Sequence, residues 1–472
     1  MTHYHIVGIA GAGMSAIAHV LLDQGHTVSG SDMQRNAATA ALEVRGARVF
    51  QGHDPAQIAA ADALVATSAA AAANVEIAAA RAAGVAVLKR ADLWREWSRS
   101  RPVVAVAGTH GKTTTTAMIA LILLRAGRNP GFLVGGDVPD LGVGARWGDP
   151  QAPLVIEADE YDRTFLALAP QLAVITNVEW DHVDIYPTPG SYDQAFRDFA
   201  ASVAEPRRLI VCGDDPGASR AINRSGATLY GIDEALACDP VSCRRTLLDW
   251  TATDLRAAPD GTGFALWRYS QRTFATRRLG DLHIRLPGAH NVRNALAAAA
   301  AAVELGVDLA MVAEALASYR GAGRRFELKG EAGGVTVIDD YAHHPTEVRA
   351  TLRAARERYP GRRLVVYLQP HTFSRTRALL DEWADAFADA DLLRVGAIYA
   401  AREPALPGVD AQALANAIRH PDVQPVGDVA EASAAISALL RPGDVLLTLG
   451  AGDGYRVGEQ ALAALQAAGA AL

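Results

Sequence analysis

The sequence predicts an α/β protein with three domains. The chain has 472 residues, too many for one ordinary hydrophobic core. Short apolar runs that look like buried strands alternate with helix-like segments, an order typical of parallel sheets. A polar stretch at Trp97–Pro102 and a glycine-rich stretch at Gly321–Gly323 interrupt this alternation. We therefore expect domains at residues 1–100, 101–321 and 322–472.

The first domain is expected to have a doubly wound, Rossmann-like sheet. An apolar strand at His5–Ile9 runs into a turn between Gly8 and Gly13, and a helix follows at Met14–Leu22. A second strand, Thr27–Gly30, leads to Asp32. The strand–turn–helix–strand order is that of a nucleotide-binding unit.

The central domain is expected to combine a parallel sheet with a small antiparallel sheet. A buried-type strand, Val103–Ala107, precedes a glycine loop and the helix Thr113–Arg125. Between about residues 207 and 285 the pattern changes to short alternating segments, which favour antiparallel strands. A third α/β unit, again Rossmann-like, begins with the strand Val335–Ile338.

Composition excludes several classes of protein. Hydrophobic residues make up 50% of the chain, charged residues 21%, and the net charge is −7, so no basic surface for nucleic acid is expected. The N-terminus resembles a first strand and not a signal peptide, and no apolar run reaches membrane-spanning length. The three cysteines, Cys212, Cys238 and Cys243, form no CxxC pair. We expect a cytoplasmic enzyme, either a monomer or a homodimer, without nucleic-acid or membrane partners.

The strongest local signal is a phosphate-binding loop, which predicts a P-loop ATPase in the central domain. The loop comprises Gly108, Thr109, His110, Gly111, Lys112, Thr113 and Thr114, between a strand and a helix. Glycine N–H groups and the helix N-terminus can surround phosphate oxygens. Lys112 can reach the outer phosphates, and Thr113 can supply an oxygen to Mg²⁺. Val106 stands where the full eight-residue motif has its first glycine.

The glycine turn near the N-terminus is less specific. Gly8, Gly11 and Gly13 suit a tight turn against a diphosphate, with Asp32 at the tip of the next strand, where a ribose would lie. A nicotinamide dinucleotide and another nucleotide diphosphate need the same helix end. The turn therefore does not identify its ligand.

Side chains that can bind a metal ion follow two predicted central strands. Glu157, in the run Glu-Ala-Asp-Glu, ends the first of them, and His182 follows the second. Their position beside the glycine loop favours binding of Mg²⁺. Asn291 and Asn294 lie on one face of a later helix, where they could contact a purine or form only a polar surface.

Two polar loops follow strands of the third unit. One contains Asp340, Tyr341 and His343, and the other contains Arg375, whose guanidinium can grip a carboxylate with two hydrogen bonds. A metal pair at His343 and His344 is an alternative, although adjacent side chains point in different directions.

Together these motifs resemble the Mur ligase family over nearly the whole chain. The resemblance also includes Gly323-Arg324-Arg325-Phe326-Glu327 and the Gly-Ala-Gly-Met-Ser turn of the branch that adds L-alanine. It implies an N-terminal domain for a uridine diphosphate sugar, a central ATPase domain and a C-terminal amino-acid domain. The implied activity is ATP-dependent ligation of L-alanine to UDP-N-acetylmuramate through an acyl-phosphate, releasing ADP and phosphate, in peptidoglycan precursor synthesis.

The resemblance also implies roles for individual residues. Lys112, His182 and Arg325 would be catalytic, and Thr113, Glu157 and His182 would hold Mg²⁺. ATP would contact the glycine loop together with His290, Asn291, Asn294, Arg325 and Asp340. The sugar nucleotide and the amino acid would contact Gly11, Ala12, Gly13, Met14, Ser15, Asp32, Ser68, Tyr341, His343 and Arg375.

Two departures from the family pattern bear on these roles. Many members hold a second metal with a carbamylated lysine, but the three lysines here are Lys89, Lys112 and Lys329, and none follows the Asp-His motif closely. Some members carry an arginine where this chain has Thr372, so the amino acid would meet one cation fewer.

Three alternatives remain open at this point. A ligase of cell-wall recycling that attaches a preformed tripeptide to the same sugar nucleotide would share most of these motifs. A nicotinamide-dependent oxidoreductase would explain only the first glycine turn. A regulatory P-loop protein would bind nucleotide without releasing phosphate in response to both other substrates.

Overall fold

The computed structural model of the protein describes residues 1–68, 70, 73–222, 226–233, 248–270 and 275–470. Cys238 and Cys243 lie outside these ranges. Three sheets of five, ten and six strands organise the chain. No helix in the described ranges is long and apolar enough to cross a membrane.

The N-terminal sheet is entirely parallel, with strand order β3-β2-β1-β4-β5. Its elements are β1 (His3–Val7), α1 (Ala12–Asp23), β2 (Thr27–Asp32), α2 (Ala37–Val44), β3 (Arg48–Gln51), a 3₁₀ helix (Pro55–Ile58), β4 (Ala63–Ala66), α3 (Val75–Ala82), β5 (Ala86–Lys89) and α4 (Arg90–Ser100).

The first strand begins and ends two residues earlier than the sequence pattern predicts. Gly8 has φ +80°, so the extended backbone stops at Val7 and the glycine turn begins. Ile9 lies in the turn but is fully buried, and its side chain extends the apolar pattern beyond the strand. The side chain of Ile9 is therefore buried although its backbone is not part of the strand.

The central sheet has the strand order β15-β14-β13-β12-β11-β10-β6-β9-β7-β8. Its strands are β6 (Val103–Ala107), β7 (Gly131–Leu133), β8 (Ala145–Arg146), β9 (Leu154–Glu157), β10 (Leu172–Ile175), β11 (Leu209–Cys212), β12 (Thr228–Ile232), β13 (Trp250–Ala258), β14 (Gly261–Ser270) and β15 (Ala275–Ile284). Its helices are α5 (Lys112–Arg125), α6 (Pro189–Ala201), α7 (Pro216–Ala221), α8 (Ala289–Glu304) and α9 (Leu309–Ser318), with 3₁₀ helices at Tyr161–Ala167 and Pro206–Arg208.

The antiparallel strands β13, β14 and β15 pair with one another and continue the parallel sheet at its edge through β12. The predicted small antiparallel sheet is thus part of the central sheet. Strands β10 and β9 flank β6 in parallel, so the loops after these three strands meet at one edge. Helix α5 packs against α8 with almost every side chain buried, which fixes the glycine loop before it.

The C-terminal sheet has the order β16-β17-β21-β18-β19-β20, and only β16 is antiparallel to its neighbour. Its elements are β16 (Glu327–Ala332), β17 (Val335–Asp340), α10 (Pro345–Arg358), β18 (Leu364–Leu368), α11 (Phe373–Ala378), α12 (Leu380–Trp383), β19 (Leu392–Val395), α13 (Ala411–Ala417), β20 (Val423–Pro425), α14 (Val429–Leu439), β21 (Val445–Leu449) and α15 (Tyr455–Ala470). Strands β17 and β18 both pair with β21, so the polar loops that follow them lie together.

Candidate functional site

The phosphate loop connects β6 to α5 with a conformation that requires glycine. Gly108 has φ +141°, and a Cβ added there would lie 1.9 Å from Thr176 Oγ1 on the neighbouring strand's loop. Gly111 has φ +80° at the start of α5. The N-terminus of a fourteen-residue helix thus points its free N–H groups into the loop.

Lys112 is folded back over the loop and paired with a buried carboxylate. Its Nζ donates to Gly108 O at 2.6 Å and to Thr109 O at 3.1 Å. The same nitrogen lies 2.8 Å from Glu160 Oε2. Burial disfavours the ammonium form, but the carboxylates of Glu160 and Asp159 outweigh it and raise the pKa of Lys112. The loop therefore carries a permanent positive charge.

Thr113 and Glu157 lie together beside this cation. Thr113 Oγ1 donates to Glu157 Oε1 at 2.9 Å, and the Gly135 backbone N–H donates to Glu157 Oε2 at 2.6 Å. Burial raises the pKa of Glu157 despite these hydrogen bonds. A hydroxyl and a carboxylate beside a phosphate loop are oxygen donors of the kind that Mg²⁺ prefers.

Glu160 is the site residue whose role the sequence pattern did not reveal. It is fully buried and lies between Lys112 and His182, whose Nε2 is 3.3 Å from Glu160 Oε1. Burial alone would raise the pKa of Glu160, but Lys112 and His182 lower it to about 2. The acidic run Glu-Ala-Asp-Glu contained the signal, although it pointed only to Glu157.

His182 reaches this cluster from the loop after β10. Its backbone is left-handed, with φ +51°, a conformation that is uncommon for histidine and is often found at functional sites. Ligand atoms of Asp159, Glu160 and His182 all lie within 4.8 Å of one another. This arrangement could hold a cation beside the phosphate loop.

Two cavities adjoin the phosphate loop, and the smaller one has a volume of about 250 Å³. Asn291 and Asn294 of α8 face it and are both buried, not part of a solvated helix face. Asn291 Nδ2 donates to Pro287 O at 2.9 Å, and Asn294 Oδ1 accepts from Thr115 at 3.3 Å. The cavity is also lined by His110, Gly111, Thr113, Thr114, His290, Arg325 and Asp340.

Burial shifts the pKa values of both His290 and Asp340 towards the uncharged form in this cavity. Burial, with Arg293 nearby, lowers the pKa of His290 to about 4. Burial also raises the pKa of Asp340 to about 6, although Arg325 opposes the shift. Asp340 accepts hydrogen bonds from two backbone N–H groups, those of Phe326 and Ala342, each at 2.8 Å. The amides of Asn291 and Asn294 and the uncharged ring of His290 border a narrow space that suits a planar ring.

Arg325 lines both cavities and lies between the central and C-terminal domains. Its guanidinium is 5.0 Å from the ring centre of Tyr341 and 3.6 Å from a Glu347 oxygen. Glu347 in turn contacts His110 Nδ1 at 3.1 Å, while Glu179 contacts His110 Nε2 at 3.0 Å. The phosphate-loop histidine thus joins the two domains.

The amino-acid candidates of the C-terminal domain line the larger cavity. Tyr341, His343 and Arg375 all border it. Burial lowers the pKa of His343 to about 3, so this ring is neutral. Its Nδ1 lies 2.9 Å from Tyr341 O, which indicates a protonated nitrogen there.

Only some of the candidate substrate-binding residues of the N-terminal domain line this cavity. Ala12 and Gly13 line it, whereas the Met14 side chain is buried in the hydrophobic core and Ser15 donates to Ala12 O. Asp32 accepts from the Ala10 backbone at 3.0 Å and so supports the glycine turn, to which Gly11 also belongs.

Ser68 lies at the boundary with the central domain. Its hydroxyl donates to Asp162, and Arg90 nearby contacts Asp159 at 3.2 Å. These contacts attach the N-terminal domain to the acidic loop after β9. The family resemblance implied a role for Ser68 but not for Arg90.

The larger cavity, about 1230 Å³, is lined by residues from all three domains. Lys112, Thr113, Glu157 and His182 border it from the central domain, and Arg325 and Arg375 from the C-terminal domain. Its volume exceeds the usual range for a single small ligand. The cavity is therefore large enough for more than one small ligand.

Three family profiles match successive parts of the chain. They are the Mur ligase family catalytic domain at residues 3–101, the Mur ligase middle domain at 106–302, and the Mur ligase glutamate ligase domain at 324–452. The chain belongs to the Mur ligase family. The family resemblance and the three-domain α/β fold predicted from the motifs are thereby confirmed.

Individual relatives of this Mur ligase are similar over its full length. A UDP-N-acetylmuramate–L-alanine ligase of Roseiflexus sp. strain RS-1 is 69% identical, over 97% of this chain and 98% of the relative. The enzyme of the same name from Chloroflexus aggregans is 58% identical, over 99% of each.

Solved structures agree with these similarities. The UDP-N-acetylmuramate-alanine ligase of Thermotoga maritima matches with a TM-score of 0.81 and 27% identity, covering 99% of this chain and 100% of that one. A murein peptide ligase of Psychrobacter arcticus matches with a TM-score of 0.72 at the same identity, covering 99% of each.

Proposed function

We propose that this Mur ligase joins L-alanine to UDP-N-acetylmuramate, with cleavage of ATP to ADP and phosphate, in peptidoglycan precursor synthesis. The observation that carries the proposal is the three-domain cavity, in which a phosphate loop, a glycine turn and a carboxylate-binding arginine border one space. The full-length similarity to relatives that are named for this activity supports it.

The proposal assigns one substrate to each domain. Residues 1–100 bind the sugar nucleotide, residues 101–321 bind ATP, and residues 322–472 bring in the amino acid. The protein works in the cytoplasm as a monomer or a homodimer.

The reaction proceeds in two transfers. The carboxylate of UDP-N-acetylmuramate attacks the γ-phosphorus of ATP, forming an acyl-phosphate while ADP leaves. The neutral amine of L-alanine then attacks the acyl carbon and gives up a proton to water, an amide bond forms, and phosphate departs with its bonding electrons. Negative charge builds on the phosphoryl oxygens in the first transfer, and Lys112 offsets it from the glycine loop.

Mg²⁺ fits the oxygen donors next to Lys112. Thr113 and Glu157 would hold one ion, and His182 would serve a second. Bound there, the ions would neutralise phosphate charge. Glu160, between Lys112 and His182, keeps both side chains directed at the same point.

The remaining parts of ATP are assigned to the smaller cavity. His290, Asn291 and Asn294 surround the base, Asp340 lies by the ribose, and Arg325 reaches the phosphates from the C-terminal domain. The glycine loop, comprising Gly108, Thr109, His110, Gly111 and Thr114, surrounds the phosphates with backbone N–H groups.

The carboxylate substrates are assigned to the larger cavity. Gly11, Ala12, Gly13, Met14, Ser15 and Asp32 form or support the turn that binds the sugar nucleotide. Ser68, which donates to Asp162 in the loop after β9, is assigned to the same substrate. Met14 contributes by packing rather than by contact, because its side chain lies in the core. Tyr341, His343 and Arg375 bind L-alanine.

The alternatives account for less of the molecule. The tripeptide ligase shares the fold, but the greater similarity to L-alanine ligases favours the single amino acid. A nicotinamide oxidoreductase leaves the phosphate loop without a role, and a regulatory P-loop protein leaves the C-terminal cavity without one.

Phosphate release tests the proposal directly. We expect release only when UDP-N-acetylmuramate, ATP and L-alanine are all present, and little with the tripeptide L-alanyl-γ-D-glutamyl-diaminopimelate. Lys112→Ala should reduce the rate by at least about 100-fold. Because this change removes the cation that lies nearest to the buried Glu160, Lys112→Met/Glu160→Gln, which removes both charges, provides a second comparison. Near-normal turnover of both variants would contradict the assignment.

A further inference from the structure

One buried ion pair joins the two domains at the large cavity. Asp181 follows β10 in the central domain, and Arg375 lies in α11 of the C-terminal domain, 194 residues later. Arg375 Nε donates to Asp181 Oδ1 at 2.8 Å and Nη2 donates to Oδ2 at 3.0 Å. The side chains are only 9% and 5% exposed. Such a two-bond pair has a fixed geometry as well as a favourable energy.

Asp181 is the more firmly held partner. The backbone N–H of His182 donates to Asp181 Oδ1 at 2.7 Å, which ties the carboxylate to its own loop. Arg375 has one side-chain partner from its own domain, the Nδ1 of His371 at 3.0 Å. Burial lowers the pKa of His371 to about 4, so this ring is neutral and accepts a hydrogen bond from Nη1. The central domain therefore supplies the only charged hydrogen-bond partner of Arg375 among the described residues.

The pair leaves part of the guanidinium available. A guanidinium has five N–H groups, and three of those of Arg375 are used by Asp181 and His371. Of the remaining two, one is on each terminal nitrogen. Arg375 and Asp181 both border the larger cavity. The outer edge of a guanidinium, formed by its two terminal nitrogens, can donate to both oxygens of a carboxylate.

We propose that Asp181 is a positioning residue for the amino acid: it holds the Nε edge of Arg375 so that the terminal N–H groups grip the carboxylate of L-alanine. The carboxylate subsite is thus complete only when the central and C-terminal domains are in contact. Asp181 itself does not touch the substrate. This inference rests on the proposed function, in which Arg375 binds the amino acid.

The test is the kinetic behaviour of Asp181→Asn, which keeps the shape of the side chain and removes its charge. We expect the KM for L-alanine to rise by about 10- to 100-fold, since one partner of a buried charged pair is lost. The KM for ATP and for UDP-N-acetylmuramate should change by less than about threefold, and kcat at saturating alanine should be largely retained. An unchanged or lower KM for alanine would overturn the proposal, because a lower value would mean that Asp181 merely competes with the substrate.

A matched control separates positioning from general stability. Asp444 is equally buried and makes the same two-bond pair with Arg363, at 2.9 and 2.6 Å, within the C-terminal domain. Asp444→Asn should lower the melting temperature but leave the KM for alanine unchanged. If both variants raise that KM alike, the effect of Asp181 is structural and the proposal fails.

Two further variants keep the test decisive. Asp181→Glu retains the charge on a longer stem, so it should fold even if Asp181→Asn does not, and it should still raise the KM for alanine by misplacing Arg375. Arg375→Lys should raise this KM as well, and combining it with Asp181→Asn should add little, because both changes remove one interaction. Additive effects would overturn the proposal. If the wild-type protein releases no phosphate with alanine, the proposed function fails instead.

Discussion

Glu160 offers a quantitative test of the electrostatics at the phosphate loop. This carboxylate is fully buried and is held between Lys112 and His182. Its ordinary pKa of 4.5 is lowered to about 2, since the two cations outweigh burial. That difference corresponds to about 3 kcal/mol in favour of the charged form. Glu160→Gln should therefore destabilise the central domain by about 3 kcal/mol at pH 7.

The sign of the pH dependence follows from the lowered pKa. The stabilisation by Glu160 is fully present above about pH 4.5 and is lost as the pH falls towards 2. Calorimetry of the full chain should show a melting temperature about 6–12 °C lower for Glu160→Gln at pH 7. The gap between variant and wild type should narrow in acid.

An exposed pair provides the control. Glu43 pairs with Arg35 on the surface, where both side chains are more than one-third exposed, and Glu43→Gln should cost less than about 1 kcal/mol. The reasoning would be refuted if Glu160→Gln melted within about 1 °C of the wild type at pH 7. It would equally be refuted by a gap that stays constant down to pH 3.

Three other predictions concern the same loop. Burial disfavours charged His110, but two carboxylates raise its pKa to about 9, so its stabilisation is full below pH 6.5 and is lost as the pH rises through 9. The melting-temperature gap between wild type and His110→Gln should shrink over that interval, and a constant gap would disprove the link. Gly111→Ala should raise the KM for ATP by at least about tenfold, because its Cβ would lie 2.5 Å from Asn294 Oδ1 at φ +80°. The control Gly127→Ala has a similar φ and open space around it, so an equal effect there would exclude the clash as the cause. EDTA should abolish phosphate release and excess Mg²⁺ should restore it, as the oxygen donors around Glu157 require; release that persists in EDTA would contradict this.

The sequence alone predicted most of the elements that surround the candidate site. The order of strand, glycines, Lys112 and helix predicted the phosphate loop, because these features depend on neighbouring residues. The alternation of strands and helices predicted three α/β units for the same reason. The motifs were also enough to name the family, and the comparisons bear out the ligase activity that the resemblance implied.

Sequence patterns did not predict contacts between residues that are far apart in the sequence. Glu160 stood in a motif that pointed to Glu157, and only the packing of three loops directs it to Lys112 and His182. Met14 belonged to the predicted substrate turn, yet helix periodicity turns its side chain into the core.

Local spacing determined the nature of each element, since a turn, a helix start or a strand depends on residues within a few positions. The tertiary structure decided which of the loops meet. Asp181 and Arg375 are 194 residues apart, and no local pattern relates them. They are neighbours because the strands before them end at the same cleft and because two buried charges are stable only when they are paired.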